Sequence, residues 1–210
     1  MAVLTTSSQL IDRAVLSRPA RQVAPDLLGC RLRCPQDATE ALIVEVEAYE
    51  ECEPAAHTYA GPTPRNQVMF GRAGLLYTYF TYGMHWCANV VVGEPGHGQA
   101  VLLRAAQPLA GQEVFRRRRG DRIPQRDLLR GPARLAQAFG LNRESGGMDL
   151  LASDSPVKLL GRDGPRPVIT SGPRVGVRLA ADLPWRHWIA DNAFVSSYRR
   201  HPRAGQYQEG

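Results

Sequence analysis

Leu75-Leu76-Tyr77-Thr78-Tyr79-Phe80-Thr81 runs into Tyr82-Gly83-Met84-His85 and then into Trp86-Cys87-Ala88-Asn89-Val90-Val91-Val92. The first and third pieces are rich in β-branched and aromatic residues, and the second has the chemistry of a tight turn. A further turn at Glu94-Pro95-Gly96-His97-Gly98 leads to Ala100-Val101-Leu102-Leu103-Arg104. Three strands joined by two short turns predict an antiparallel meander with a protruding hairpin. A ring at position 82 would then stand at the hairpin tip, where burial is difficult.

Outward from this meander, Ala41 to Tyr49 reads as another strand. Strict alternation would put Val44, Val46 and Ala48 on one face and Ile43, Glu45, Glu47 and Tyr49 on the other. A helix is predicted over 8–18 after Ser7-Ser8, and a short strand over 27–33. Residues 50–74 and 121–130 read as loop. Pro108 is predicted to open a helix ending at Gly120, and Pro132 to Phe139 forms another closed by Gly140. Short β-like pieces follow at 168–170, 175–177 and 194–196. Helix, meander, helices and further strands in this order predict an α+β fold in a single domain over 1–210. Its sheet would be curved, mostly antiparallel and barrel-like, flanked by helices.

The 210 residues carry 26 basic and 20 acidic side chains, a net charge of +6 and a pI near 9.5. Only one of the basic residues is a lysine, Lys158; the other 25 are arginines. Residues 1–100 carry −3 and residues 101–210 carry +9. A basic half beside a slightly acidic one fits a polyanion meeting one side of the molecule. No segment approaches the apolar length of a membrane span, about 18 residues, and the start lacks the pattern of a secretory signal. Cys30, Cys34, Cys52 and Cys87 lack paired zinc spacing and read as free thiols, so no metal or other cofactor is expected.

Several residues could carry chemistry. Glu45 and Glu47 on one strand face would start about 6–7 Å apart, a separation used to cleave glycosidic bonds; two solvated acids are the alternative. Tyr49, Tyr77 and Tyr79 are strand aromatics, with Tyr77 expected in the core. Tyr82 at the tip suits insertion into a base stack. Tyrosine faces lining a pocket can hold a flat or cationic base. The run Arg116–Arg119 closes a helix, where it either complements the dipole or meets phosphates.

Taken together, Glu45-Val46-Glu47-Ala48-Tyr49, Ala55-Ala56-His57, Thr63-Pro64-Arg65-Asn66, Met69-Phe70-Gly71, the 76–90 meander, Ala100 to Ala105, Gly131-Pro132-Ala133-Arg134-Leu135 and Arg174-Val175-Gly176-Val177 resemble the alkyladenine (3-methyladenine) DNA glycosylase family, over about residues 20–200. The resemblance implies excision of alkylated or deaminated purines from duplex DNA by base flipping. Glu47 matches the glutamate that activates water. Tyr49, His57 and Tyr79 match the pocket that sandwiches the base, and Asn89 the residue that crowds the amino group of guanine. Tyr82 matches the wedge, and Arg104 a polar neighbour that positions water and nucleotide. Glu45 has no catalytic role in that family. The implied partner is duplex DNA containing damaged purines, with no membrane, for a monomeric bacterial protein of the cytoplasm and nucleoid. Departures are the glutamate-rich Glu50-Glu51-Cys52-Glu53-Pro54, Gln107 in place of an acid, and His85-Trp86. A single lysine outside all these strings argues against Schiff-base chemistry and for a monofunctional enzyme. A non-catalytic module on the same fold that binds damaged DNA is the alternative.

Overall fold

The computed structural model describes residues 9–205. Two helices, α1 (Arg13–Leu16) and α2 (Ala20–Leu27), lead to strands β1 (Arg31–Cys34) and β2 (Thr39–Tyr49). The meander follows as β3 (Leu76–Thr81), β4 (His85–Val91) and β5 (Ala100–Ala110). Helices α3 (Gln112–Arg119) and α4 (Pro132–Phe139) come next, and β6 (Lys158–Leu160), β7 (Ile169–Gly172) and β8 (Arg186–Ile189) complete the order. The strands form one curled, half-barrel antiparallel sheet in the order β3-β4-β5-β2-β1-β6. One edge of β2 pairs with β5. The other is shared by β1 over Thr39–Leu42 and β8 over Glu45–Glu47. The fold is α+β, as its element order predicts.

The hairpin tip is tighter than four residues. Thr81 pairs with His85, and Tyr82 and Gly83 take φ of +52° and +66°. The Met84 N–H donates to the Thr81 carbonyl at 3.2 Å. Two consecutive left-handed residues make a type I′ turn, whose twist matches that of the strands. A tyrosine in that conformation carries strain that glycine would not.

Several elements differ from the sequence reading. The helix α1 starts at Arg13, capped by Asp12, whose carboxylate accepts from the Ala14 N–H; Ser7 and Ser8 lie outside the described residues. Helix α2 stands where no helix is predicted, with Pro19 as its N-cap and Pro25 inside it. Strand β5 runs on through Pro108 to Ala110. Its pairing with β4 covers only Ala100–Leu102, so Pro108, which lacks an N–H, lies where that edge asks nothing of it. Residues 175–177 and 194–196 are turn and coil rather than strand, and β6 and β8 stand in addition.

The largest departure concerns β2. Its pairing with β5 shifts between Ile43 and Glu45 and again between Glu45 and Val46, leaving Val44 and Arg104 without opposite partners. Bulges break the alternation. Ala41 and Ile43 therefore share the main core with Val46 and Ala48, and Ile43 does not face Glu45's way. That core fills the space between the sheet and α2, α3 and α4, with Phe115 and Phe139 rings 5.2 Å apart. A smaller cluster of Met69, Tyr77, Val91 and Ala100 lies apart from it.

Candidate active site

The bulge sets two carboxylates side by side in the interior, and their partners give them different duties. Glu45 is saturated. It accepts from Arg104 Nε at 3.0 Å, Arg186 Nε at 2.6 Å, the Ser196 N–H at 2.7 Å and the Ser196 hydroxyl at 2.9 Å. Burial alone would lift its pKa, but Arg104, Arg186 and the Ser196 N–H outweigh burial and hold it below the ordinary value. Glu47, also fully buried, accepts the Val175 N–H at 2.7 Å on Oε1 and the Tyr49 hydroxyl at 2.9 Å on Oε2. An ionised carboxylate offers about four acceptor sites, so Glu47 keeps capacity that Glu45 has spent. The guanidinium of Arg104 bridges the pair, with Nη1 3.4 Å from Glu47 Oε1. Burial opposes the charge of Arg104, but Glu47 and Glu45 outweigh it and raise its pKa above the ordinary value.

In front of Glu47 lies a cavity of about 310 Å³, at the lower end of the usual size for small-molecule sites, about 300–1,000 Å³. Tyr49, His57, Tyr79 and Asn89 line it, as does Tyr77, and the segment Gly176–Leu179 closes one side. The rings of His57 and Tyr79 meet edge to face at 4.6 Å, and Tyr77 stacks on Tyr79 at 5.8 Å. His57 Nδ1 shares a hydrogen bond of 3.1 Å with the Tyr77 hydroxyl. Burial and the nearby Arg65 lower the pKa of His57, so the imidazole is neutral at pH 7. Burial, with the charge of Glu47, raises the Tyr49 hydroxyl well above its ordinary value, so it remains a proton donor. Asn89 is the cross-strand partner of Tyr77 and donates to its carbonyl at 3.1 Å, which fixes the amide.

The residues behind this wall come from far along the chain. Arg174 forms a two-pronged ion pair with Glu53 at 2.6 and 3.0 Å, donates to the Ala48 carbonyl, and lies 4.6 Å from the centre of the Tyr49 ring. The glutamate-rich loop is thereby explained. Glu53 holds Arg174, Glu50 accepts the Arg21 N–H, and Glu51 binds His97 and the Gly98 N–H. Buried Asn66 donates to the His57 carbonyl at 2.8 Å and so pins the loop that carries the imidazole. Gln107 accepts from Asn192 at 3.3 Å.

Sequence reasoning placed Glu47, Tyr49, His57, Tyr79 and Asn89 together, and the structure brings them to one cavity or directly behind it. Neither Glu47, fully buried, nor Arg104 beyond it lines the cavity; Glu47 reaches it through Tyr49, whose hydroxyl it accepts and whose ring is in the lining. Tyr82 stands apart at the tip, 84% exposed beside Met84 at 66%. Arg186, Ser196 and the Val175 N–H were missed; the first two follow no motif, and a backbone amide has no sequence signature. Lys158 lies on β6, at the opposite end of the strand order from β3, and its amine donates to the Ser153 carbonyl. Among the described residues, no group of three or more His, Cys, Asp or Glu could hold a metal, and no helix is long and apolar enough to cross a membrane.

The run Arg116–Arg119 is mostly spent inside the protein. Arg116 donates to the Ile123 carbonyl, Arg118 to the Ala138 carbonyl and Asp37, and Arg119 to the Leu128 carbonyl and Gln137. Asp37 precedes β2 and Tyr49 ends it, so about 30 Å of strand separates this cluster from the cavity.

A buried carboxylate behind a small aromatic cavity, with an exposed ring on a neighbouring hairpin, defines a site for a flat ligand. The family model of methylpurine-DNA glycosylase (MPG) matches residues 14–193. A relative from Burkholderia orbicola (strain MC0-3) is 47% identical over 190 residues, covering 89% of this chain and 91% of its own. One from Mycobacterium sp. (strain KMS) is 49% identical over 185 residues, covering 85% and 88%. One from Rhodopseudomonas palustris (strain ATCC BAA-98 / CGA009) is 45% identical over 187 residues, covering 89% and 88%. All three bear 3-methyladenine DNA glycosylase as a provisional name. The chain belongs to the methylpurine-DNA glycosylase family. It is accordingly a DNA glycosylase, a hydrolase of N-glycosyl bonds.

Proposed function

We propose that this enzyme flips alkylated or deaminated purines out of duplex DNA and hydrolyses the N-glycosidic bond with a water activated by Glu47, leaving an abasic site. The observation that carries this reading is the contrast between two neighbouring carboxylates. Glu45 is fully occupied by Arg104, Arg186 and Ser196, while Glu47 keeps acceptor capacity behind an aromatic cavity. In the duplex a purine is stacked and unreachable, so unstacking must precede chemistry, at a cost of a few kcal/mol that damage reduces. Tyr82 fills the space the purine leaves. Tyr49, His57 and Tyr79 enclose the extruded base, and Asn89 crowds a purine bearing guanine's amino group. Arg104, with Nη1 3.4 Å from Glu47 Oε1, holds that carboxylate in place. No step uses an amine: Lys158 has its own partner at the far edge of the sheet.

The test is a single-turnover assay on duplexes carrying hypoxanthine, ethenoadenine or 3-methyladenine. Release of at least one base is expected, and release of none from any duplex overturns the proposal. Trapping with borohydride that depends on Lys158 would overturn the monofunctional part. A carbohydrate hydrolase using Glu45 and Glu47 as an acid–base pair is disfavoured by the saturation of Glu45.

Two binding predictions separate the tip from the arginine run. Tyr82→Ser should weaken binding to a lesion duplex by about tenfold or more, since a stacked aromatic contributes roughly 1–3 kcal/mol. Arg118→Ala should leave the salt dependence of DNA binding unchanged, because that guanidinium is tied to Asp37 and Ala138. A fall of about 0.9 in the log–log salt slope would instead mean that Arg118 meets a phosphate.

A further inference from the structure

The β3–β4 hairpin borders two cavities, the second reached from both of its faces: by Tyr77, Tyr79 and Arg65, 5.9 Å from the Tyr79 ring centre, and by residues of the opposite face. The second is a groove of about 960 Å³ that shares the Tyr77–Tyr79 wall with the first. Thr78 and Phe80 also line it, with Trp86, the cross-strand partner of Phe80. Strand residues alternate, so these three belong to the face of the hairpin turned away from the aromatic cavity. The rings of Phe80 and Trp86 lie 5.1 Å apart, tilted by 46°, and Phe80 is 45% exposed. Arg65 and Arg143 line the same groove; both are exposed. Among the described residues, no acidic side chain lines it.

Aromatic faces beside guanidinium groups, with no acid among them, suit unpaired nucleic acid. Bases stack on the rings while phosphates meet the arginines. We infer that this groove holds the nucleotide left without a partner, in the strand opposite the flipped purine. The inference rests on the base-flipping reading, with Tyr82 as the wedge. A hairpin entering a duplex by its tip has one strand on each side. The damaged strand gives its base to the cavity on one face, and the groove, through Phe80 and Trp86 on the other face, meets the strand that keeps its place. Tyr82 and Met84 stand exposed at the tip of the same hairpin.

The test uses the full chain and duplexes whose damaged strand carries a tetrahydrofuran abasic analogue. Opposite it stands either thymine or a second tetrahydrofuran. For the wild type, removing the opposite base should weaken binding about tenfold, the effect of one base stacked on an aromatic ring. Phe80→Ala should lose about the same on the thymine duplex and then become indifferent to the opposite base. Arg143→Ala should lower the log–log salt slope by about 0.9. The unfolding midpoint of Arg143→Ala should match the wild type, and Phe80→Ala, which loses the ring contact with Trp86, should still unfold in one cooperative transition. The inference is overturned if the wild type is indifferent to the opposite base, or if Phe80→Ala remains as sensitive to it as the wild type. It is also overturned if Phe80→Ala changes only the oligomeric state, which would make the groove a contact between copies. A wild type that binds the abasic duplex no better than undamaged DNA and releases no base would instead overturn the glycosylase reading itself.

Discussion

Glu47→Gln should abolish base excision while leaving lesion binding intact. The glutamine keeps the volume of the side chain, and its amide oxygen can still accept the Val175 N–H that Glu47 holds at 2.7 Å. Its amide N–H groups can turn the Tyr49 contact around, with the hydroxyl now accepting. What is lost is the ability to take a proton from water. General-base catalysis by a positioned side chain contributes about 10²–10⁴-fold. Single-turnover excision should therefore fall by at least about a hundredfold, while affinity for a duplex containing an abasic analogue stays within about threefold of wild type. Excision near the wild-type rate would mean that another group activates the water. Loss of binding and excision together would mean that Glu47 acts by organising the cavity.

The neighbouring glutamate should behave in the opposite way. Glu45→Ala removes the acceptor shared by Arg104, Arg186 and Ser196. Buried Arg186 then loses its counter-charge and Arg104 keeps only Glu47, at 3.4 Å; breaking a buried ion pair by removing one partner costs about 3–5 kcal/mol. The expected readout is a large drop in the denaturant midpoint. Acid dependence provides a second measure. The pKa of Glu45 is lowered on folding from 4.5. Its contribution is therefore fully present above about pH 4.5 and is lost as pH falls through the lower, folded value. Glu45→Gln should be less stable than wild type at pH 7, and the gap should narrow in acid. A variant with unchanged midpoint at neutral pH would contradict the structural duty assigned to Glu45.

These two residues also show how far the sequence could be read. The meander was legible because its evidence is local: β-prone runs, a Tyr-Gly turn and a Pro-Gly turn, all within thirty residues. Helix α4 was legible because proline and glycine mark its two ends. Helix α2 was not, since it has Pro19 as its cap and a second proline, Pro25, inside it. Pro108 misled in the other direction, ending a strand on paper that continues in space. On β2 the alternation placed Glu45 and Glu47 together correctly and Ile43 wrongly. The intervening bulge depends on β5, which supplies the compensating residue Arg104.

The cavity residues were recognised through their resemblance to a family, which gives identities without reasons. Asn66, within one of the matched strings, proves to be the anchor of the His57 carbonyl. Glu53, which stood out as a departure, proves to be the counter-charge of Arg174, and Arg174 in turn backs the Tyr49 ring. No period or spacing could link Glu53 to Arg174 across 121 positions. In the basic second half the arginines differ in their duties. Its densest run, Arg116–Arg119, chiefly caps helices and joins α3 to its surroundings, while exposed arginines beside the cavities, such as Arg65 and Arg143, come singly.

The backbone amides that donate to Glu47 and Glu45 lie 128 and 151 positions away in the chain. During synthesis the glutamates leave the ribosome long before Val175, Arg186 and Ser196 exist. A nascent chain that has already formed the meander still lacks the amide that fixes Glu47 and one of the two arginines that neutralise Glu45. The carboxylate pair is therefore completed last in biosynthesis. A prematurely terminated product ending before residue 174 carries the whole hairpin sequence but neither the amide that Glu47 accepts nor Arg186 and Ser196 for Glu45.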